Sequence, residues 1–308
     1  MRLARLTLAS FLALEAFAAA SPRPDQPGPW DNDLIVYRVS SNLDVAKVTA
    51  FPRAGVPTLA RMKDGKLIAA HQHFPESAEE NFDKVAVRFS SDEGKTWTDP
   101  KVIRLEGLPA GMRFPFDPTL VPVPDGRVRL YFTSLRQLRF DRDRPAIYSA
   151  ISSNGMDYVF EPGMRFGIEG RPVIDCAVAF HNGIFHLIAP DNGTGRDAPP
   201  GNGYHAISRD GVSFTRTNDV HIEGRRRWLG NAQSDSKQIT FFGTADDPRS
   251  GLWMATSGDG LNWKLIDSPA LKGADPGAVR TRDGGLVVIA TGPPRPDTPS
   301  ANRRPRKD

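Results

Sequence analysis

Three aspartates, Asp117, Asp175 and Asp275, each open an apolar stretch that runs into a polar turn and a second apolar stretch. The same unit recurs twice more, with Val56 and Asn231 in the leading place. Set around one axis, five such units bring three carboxylates and an amide to a single opening. Like charges crowded in this way retain at least one proton, so one carboxylic acid can donate while another carboxylate stays ionised. Glycoside hydrolysis uses that combination: an acid protonates the leaving oxygen and a carboxylate activates water or attacks carbon. The candidate catalytic residues are therefore Asp117 as base or nucleophile, Asp175 as acid, and Asp275 as an orienting or tuning group.

Other residues fall near the same opening. Arg113, Arg171 and Arg227 lie four positions before Asp117, Asp175 and Asn231. They either pair with the acids that follow them or face an anionic substrate. The second apolar stretches end in His71-Gln72-His73, Ser134-Leu135-Arg136, Asp191-Asn192 and Thr244-Ala245-Asp246. In an extended chain His71 and His73 share a face, where they could meet sugar hydroxyls or a metal, although no third ligand is identifiable. Trp228, just ahead of the fourth unit, offers a ring to stack on a sugar. The candidate substrate-binding set is thus His71, His73, Arg136, Asp191, Asn231, Arg113, Arg171 and Trp228, with the Gly- and Pro-rich loop from Asp191 to Gly203 as a rim. No cofactor is required, and a divalent ion in the channel is compatible with the acids.

The elements that must hold these residues are strands. Val56 to Ala60 turns at Lys63-Asp64-Gly65 into Lys66 to Ala70, and Asp117 to Val121 turns at Pro124-Asp125-Gly126 into Val128 to Thr133. Asp175 to Ala179, Asn231 to Gln233 and Asp275 to Val279 begin three further hairpins of this kind. Arg127 to Phe132 alternates charged and apolar residues before an aromatic pair, a period of two that marks a strand. No helix-period segment of useful length occurs.

A second motif alternates with these hairpins: a serine, Asp or Asn two residues on, a glycine, then an aromatic. Its copies begin at Ser90, Ser152, Ser208 and Ser257 and carry Trp97, Tyr158, Phe214 and Trp263, at intervals of 62, 56 and 49 residues. Asp or Asn caps backbone N–H groups, Gly takes positive φ, and the aromatic pins the turn to the sheet. A period near 50 residues is what four short strands need, so the chain reads as propeller blades.

The turn resembles the Asp box, or BNR repeat, of the sialidase superfamily, which joins the outer strands of a β-propeller blade. The acids on inner strands are similar to those of five-bladed propeller glycosidases such as arabinanases and invertase-like enzymes. Where those families usually have Glu as their third acid, this chain has only Asp. In place of the sialidase Arg-Ile-Pro opening it has Gly55-Val56-Pro57, with Arg53 nearby. Five inner hairpins against four such turns imply an all-β, five-bladed propeller in which N-terminal strands from Leu34 to Phe51 complete the last blade and leave no open edge. The function implied is an exported glycoside hydrolase; the alternative is a non-catalytic propeller binding a glycan or a protein partner.

Composition bounds the rest. Arg2 and Arg5 before an apolar run from Leu6 to Phe17, then Ala18 to Ala20, read as a signal peptide over residues 1–20, too short to span a bilayer. The propeller is expected over 21–292, and 293–308, rich in Pro and Arg, as a disordered basic tail. The net charge of +4 resides in leader and tail, leaving 21–292 neutral, so nothing points to nucleic acid. A single cysteine, Cys176, excludes an intramolecular disulfide and is expected to be a buried thiol. The expected partner is a carbohydrate, and the expected state is a monomer in the periplasm or outside the cell.

Overall fold

The computed structural model describes residues 28–136, 144–192, 200–246 and 251–295, and nearly all of its regular structure is short strands. β1 (Asn32–Val39) and β2 (Val45–Phe51) come first. Blade one is β3 (Ala54–Arg61), β4 (Leu67–His73), β5 (Lys84–Ser90) and β6 (Lys101–Val102). After β7 (Arg104–Glu106), blade two is β8 (Phe116–Pro122), β9 (Val128–Ser134), β10 (Ala146–Ser152) and β11 (Asp157–Phe166). Blade three holds β12 (Ala177–His181), β13 (Ile184–Pro190) and β14 (Asn202–Ser208), with β15 (Thr215–Arg216) and β16 (Val220–His221) both paired to β14. Blade four is β17 (Arg226–Ser234), β18 (Ile239–Ala245), β19 (Leu252–Ser257) and β20 (Lys264–Ile266). The last two strands, β21 (Ala274–Arg280) and β22 (Leu286–Pro294), join the first two in the order β2-β1-β22-β21.

The protein is therefore an all-β, five-bladed propeller. Its ring closes by pairing β1 with β22, Leu34 opposite Thr291 and Val36 opposite Ile289, as the count of hairpins implied. Closure removes the two edges that an open fan of sheets would present. Blade two departs from the four-strand expectation: β7 adds a fifth strand, parallel to β11. The closing strand runs to Pro294, two residues past the expected boundary, and Arg295 N–H donates to the Asp31 carbonyl at 2.9 Å. The expected signal peptide at 1–20 and residues 296–308 of the expected tail lie outside the described residues. No helix among the described residues is long and apolar enough to cross a membrane.

The core is a ring of apolar layers between blades. Side chains alternate along each strand, so each second strand feeds two neighbouring layers. On β4, Ile68 and Ala70 pack with Leu120 and Val128 of blade two, whereas Leu67 and Ala69 pack with Phe51 and Val287 of blade five. The inner hairpins are therefore apolar on both faces, as in sheets covered on two sides. Cys176 sits in the layer between blades two and three, its thiol buried as expected and its pKa pushed up by that burial.

The four serine-led turns each join the third and fourth strands of a blade at the end opposite the aspartates. In the first, Gly94 N–H donates to Ser90 Oγ at 2.9 Å and Thr96 N–H to Asp92 Oδ1 at 2.9 Å. Gly260 N–H donates to Ser257 Oγ at 2.9 Å in the fourth, and Trp263 Nε1–H closes on the Gly260 carbonyl at 3.0 Å. The turns also dock blades together: a Cβ on Gly260, at φ +75°, would stand 2.2 Å from His186 Nδ1 of the preceding blade.

Candidate functional site

The site is built by a repeated irregularity of the inner strands. Register breaks between Gly55 and Thr58, Phe116 and Thr119, and Ala274 and Gly277 each set two residues of the inner strand against one on its partner. Such bulges re-aim a side chain. The leading residues there are Val56, Asp117 and Asp275, all at φ +48°, and Asp175 ahead of β12 has φ +64°. A left-handed backbone is unusual for any non-glycine residue and costs most for a β-branched one such as Val56. Proline follows three of the four, where its missing N–H forfeits no ladder bond.

The three aspartates do come together. Asp117 is only 7% exposed, while Asp175 and Asp275 retain partial exposure. Burial pushes the Asp117 carboxyl up to about 7; the Asp275 charge adds to the rise, and Arg113 opposes it. Asp175 is raised well above the usual carboxylate range by burial and by both neighbouring acids. Burial lifts Asp275 to about 6, and its Oδ1 is enclosed without a hydrogen-bond partner. Neutral carboxyls at neutral pH are thus available beside ionisable ones. Among the described residues, no group of three or more His, Cys, Asp or Glu side chains is arranged to hold a metal ion, so the residues present offer a divalent cation no cage.

The arginines do not pair with the aspartates that follow them. Arg113 bonds instead to Asp83, which also accepts from Gln72 Nε2 at 2.7 Å, and its guanidinium lies 4.2 Å from the centre of the Phe116 ring. Arg171 reaches Asp191 Oδ1 and the Tyr204 hydroxyl, each at 3.3 Å, and that hydroxyl donates to Asp191 at 2.7 Å. Arg227 Nε donates to Asp246 Oδ1 at 2.9 Å, and Arg225 shares the same carboxylate. The rim is a set of Arg–acid pairs, and none of the three inner aspartates forms an ion pair with a described residue.

Four other expected placements are corrected. Asn231 is fully buried one step inside the mouth, because blade four has a larger bulge: Arg227 faces Thr244 and Gly230 faces Gly243, leaving Trp228 and Leu229 with no partner on β18. Its side chain bridges blades, Nδ2 donating to Thr58 Oγ1 at 3.3 Å and Oδ1 accepting from Ala278 N–H at 3.3 Å. Trp228 cannot meet a sugar, being fully buried against Phe241, Trp253 and Trp263 with Nε1–H on the Gly201 carbonyl at 2.8 Å. His71 and His73 do share a face, but that face turns to blade five. His71 is fully buried, 5.9 Å from the Phe51 ring, with its pKa lowered to about 3 by burial. Arg136 is exposed and lines a pocket of about 240 Å3 with Tyr148 and Phe160, which lie on the outer strands of blade two rather than on the inner strands that carry the acids.

Sequence reasoning missed Gln72, Asp83, Thr133 and Tyr204. Gln72 faces opposite to its two histidines and joins the Asp83–Arg113 pair. Thr133 Oγ1 accepts the Asp175 N–H at 3.0 Å. The signal for Thr133 was its recurrence at Thr244 and Thr291, the equivalent places on two other second strands. Of the loop from Asp191 to Gly203, residues 193–199 lie outside the described residues.

No protein-family model matches the sequence, and comparison with curated proteins finds no match. Solved structures do resemble it. An α-L-arabinofuranosidase from Lactobacillus brevis is 14% identical with a TM-score of 0.56, covering 80% of this chain and 86% of that one. Another, from Clostridium thermocellum, is 15% identical with a TM-score of 0.53, over 76% of this chain and 80% of that one. A family 117 glycoside hydrolase from Zobellia galactanivorans is 13% identical with a TM-score of 0.52, over 86% and 92%. At such identity the likeness is one of fold: this chain is a five-bladed propeller of the architecture found in propeller glycoside hydrolases.

Proposed function

We propose that this protein is an exported glycoside hydrolase that cleaves its glycan with Asp117, Asp175 and Asp275. One observation carries the reading: three part-buried carboxyls gather at the channel mouth while the nearby arginines are paired with other acids. A purely structural set of acids would be expected to pair with those cations. The structural neighbours support the reaction class, and the basic residues and apolar run read as a signal peptide over residues 1–20 support export.

Asp175, pressed by burial and by both other acids, keeps its proton and donates it to the leaving oxygen. Asp117, which alone of the three feels Arg113, is the carboxylate that activates water or attacks the anomeric carbon. Asp275, whose charge raises the pKa of both other acids, is the orienting and tuning group. The carbohydrate is the only partner the reading needs, and the closed ring works as a monomer.

The test is a screen of the purified mature protein against chromogenic glycosides and plant, microbial and host glycans, with Asp117→Asn and Asp175→Asn alongside. Hydrolysis by the wild type that drops at least about 100-fold in both variants is the expected result. Glycan binding without turnover, unchanged in both variants, would leave a recognition propeller and overturn the proposal.

A further inference from the structure

The second strands of blades two, four and five carry the same residue at the same register near their ends: Thr133 opposite Phe116, Thr244 opposite Arg227, Thr291 opposite Ala274. Thr133 and Thr244 are buried, at 0% and 2% exposure. Each touches the blade that follows. Thr133 Oγ1 accepts the Asp175 N–H at 3.0 Å, and Thr244 Oγ1 accepts the Asp275 N–H at 2.8 Å. Those amides belong to residues at φ +64° and +48°, the left-handed region that is uncommon for a non-glycine residue and most open to Asn and Asp.

The Thr244 hydroxyl proton is used as well. Thr244 donates to the Leu229 carbonyl at 3.0 Å, inside the enlarged bulge of blade four. Thr291 is the internal contrast: the blade after it opens with Val56 rather than an acid, and Thr291 Oγ1 is buried without a partner.

We propose that Thr133 and Thr244 are positioning residues of the mouth: each hydroxyl grips the backbone of the acid that opens the next blade. Spacing between acids on different blades is then set by side-chain hydrogen bonds across the blade boundary. Sheet packing alone would allow each bulge to relax independently. This deepens the reading of the mouth as the reactive site, yet its test requires no turnover.

The experiment is carboxyl-carbon NMR titration of the full mature protein labelled in aspartate, for the wild type and for Thr133→Val, Thr133→Ser, Thr244→Val and Thr244→Ser. Valine keeps the shape and removes the hydroxyl. Thr133→Val frees the Asp175 main chain and should move the Asp175 midpoint by about half to one pH unit, with Thr133→Ser returning it toward wild type. Thr244→Val should displace the Asp275 resonance while leaving Asp117 closer to its wild-type position. Unchanged midpoints in both valine variants, or serine variants displaced as far as valine ones, would overturn the proposal. The two readings fail separately: shifted midpoints in a protein that cleaves no glycan remove the hydrolase, and unmoved midpoints in an active hydrolase remove the threonine role.

Discussion

Asp117 holds a carboxyl where the fold disfavours its charge, and that has a consequence for stability with a definite sign. Its folded pKa, about 7, stands above the ordinary carboxylate value of 3.8, so the folded state binds the proton more tightly than the unfolded chain. The stabilisation this gives is complete below about pH 3.8 and is lost as pH rises through the folded value. Asparagine resembles the protonated acid and escapes that loss. Asp117→Asn should therefore be more stable than the wild type at pH 8 by on the order of 2 kcal/mol, with the gain gone near pH 4. Urea unfolding at both pH values checks this; an equal effect at both would show that the carboxyl ionises in the folded protein as easily as in water. A gain in stability coupled to a loss of activity is the trade expected of a strained functional group. The acids could be read from the sequence because they recur at one place in a repeating unit. Trp228 and Asn231 were misplaced for a shared reason: the extra residues in the blade-four bulge shift the register, and only Gly230, at φ +146°, marks the spot. His71 was misread because both faces of β4 are buried, so no polar alternation tells which face meets the mouth.

At the scale of elements, the serine-led turns have two functions that one substitution can separate. Gly260 closes its turn at φ +75° and also lets the turn sit against His186, since a Cβ there would lie 2.2 Å from Nδ1. Gly258, two residues earlier in the same turn, has open space around it and no positive φ. Gly260→Ala should cost about 1–3 kcal/mol in urea unfolding, and Gly258→Ala should stay within about 0.5 kcal/mol of wild type. Equal effects would mean that the blade contact carries no weight. These turns made the fold legible, because their chemistry is local: a capping carboxylate, a glycine and an aromatic within eight residues. The strand β7 was not legible, since three residues, Arg104 to Glu106, pairing in parallel with a strand fifty positions later leave no local pattern.

The whole molecule depends on a contact between its two ends. Blade five takes its inner pair from the C-terminal part of the chain and its outer pair from the N-terminal part, so the ring is shut only when β1 meets β22. Leu34, Val36, Val39 and Phe51 come from the N-terminal pair, and all are at most 3% exposed. Burying four such side chains is worth about 6–12 kcal/mol, against a total stability of about 5–15 kcal/mol for a typical domain. A chain beginning at residue 53 should therefore lose its cooperative thermal transition and associate through the uncovered edge of β22. Adding the peptide 28–51 in trans should restore a monomer that melts cooperatively, because the missing pair is a contiguous hairpin with a ready template. Size exclusion and circular dichroism follow both steps. A truncated chain that stayed monomeric and melted within a few degrees of the full protein would mean that the blades stand without closure. The mouth acids would then owe their convergence to the inner strands alone and Asp275 would keep its elevated pKa; a ring that needs closure should instead lose the burial and elevated pKa of Asp275, which lies on the closing blade, before those of Asp117 and Asp175.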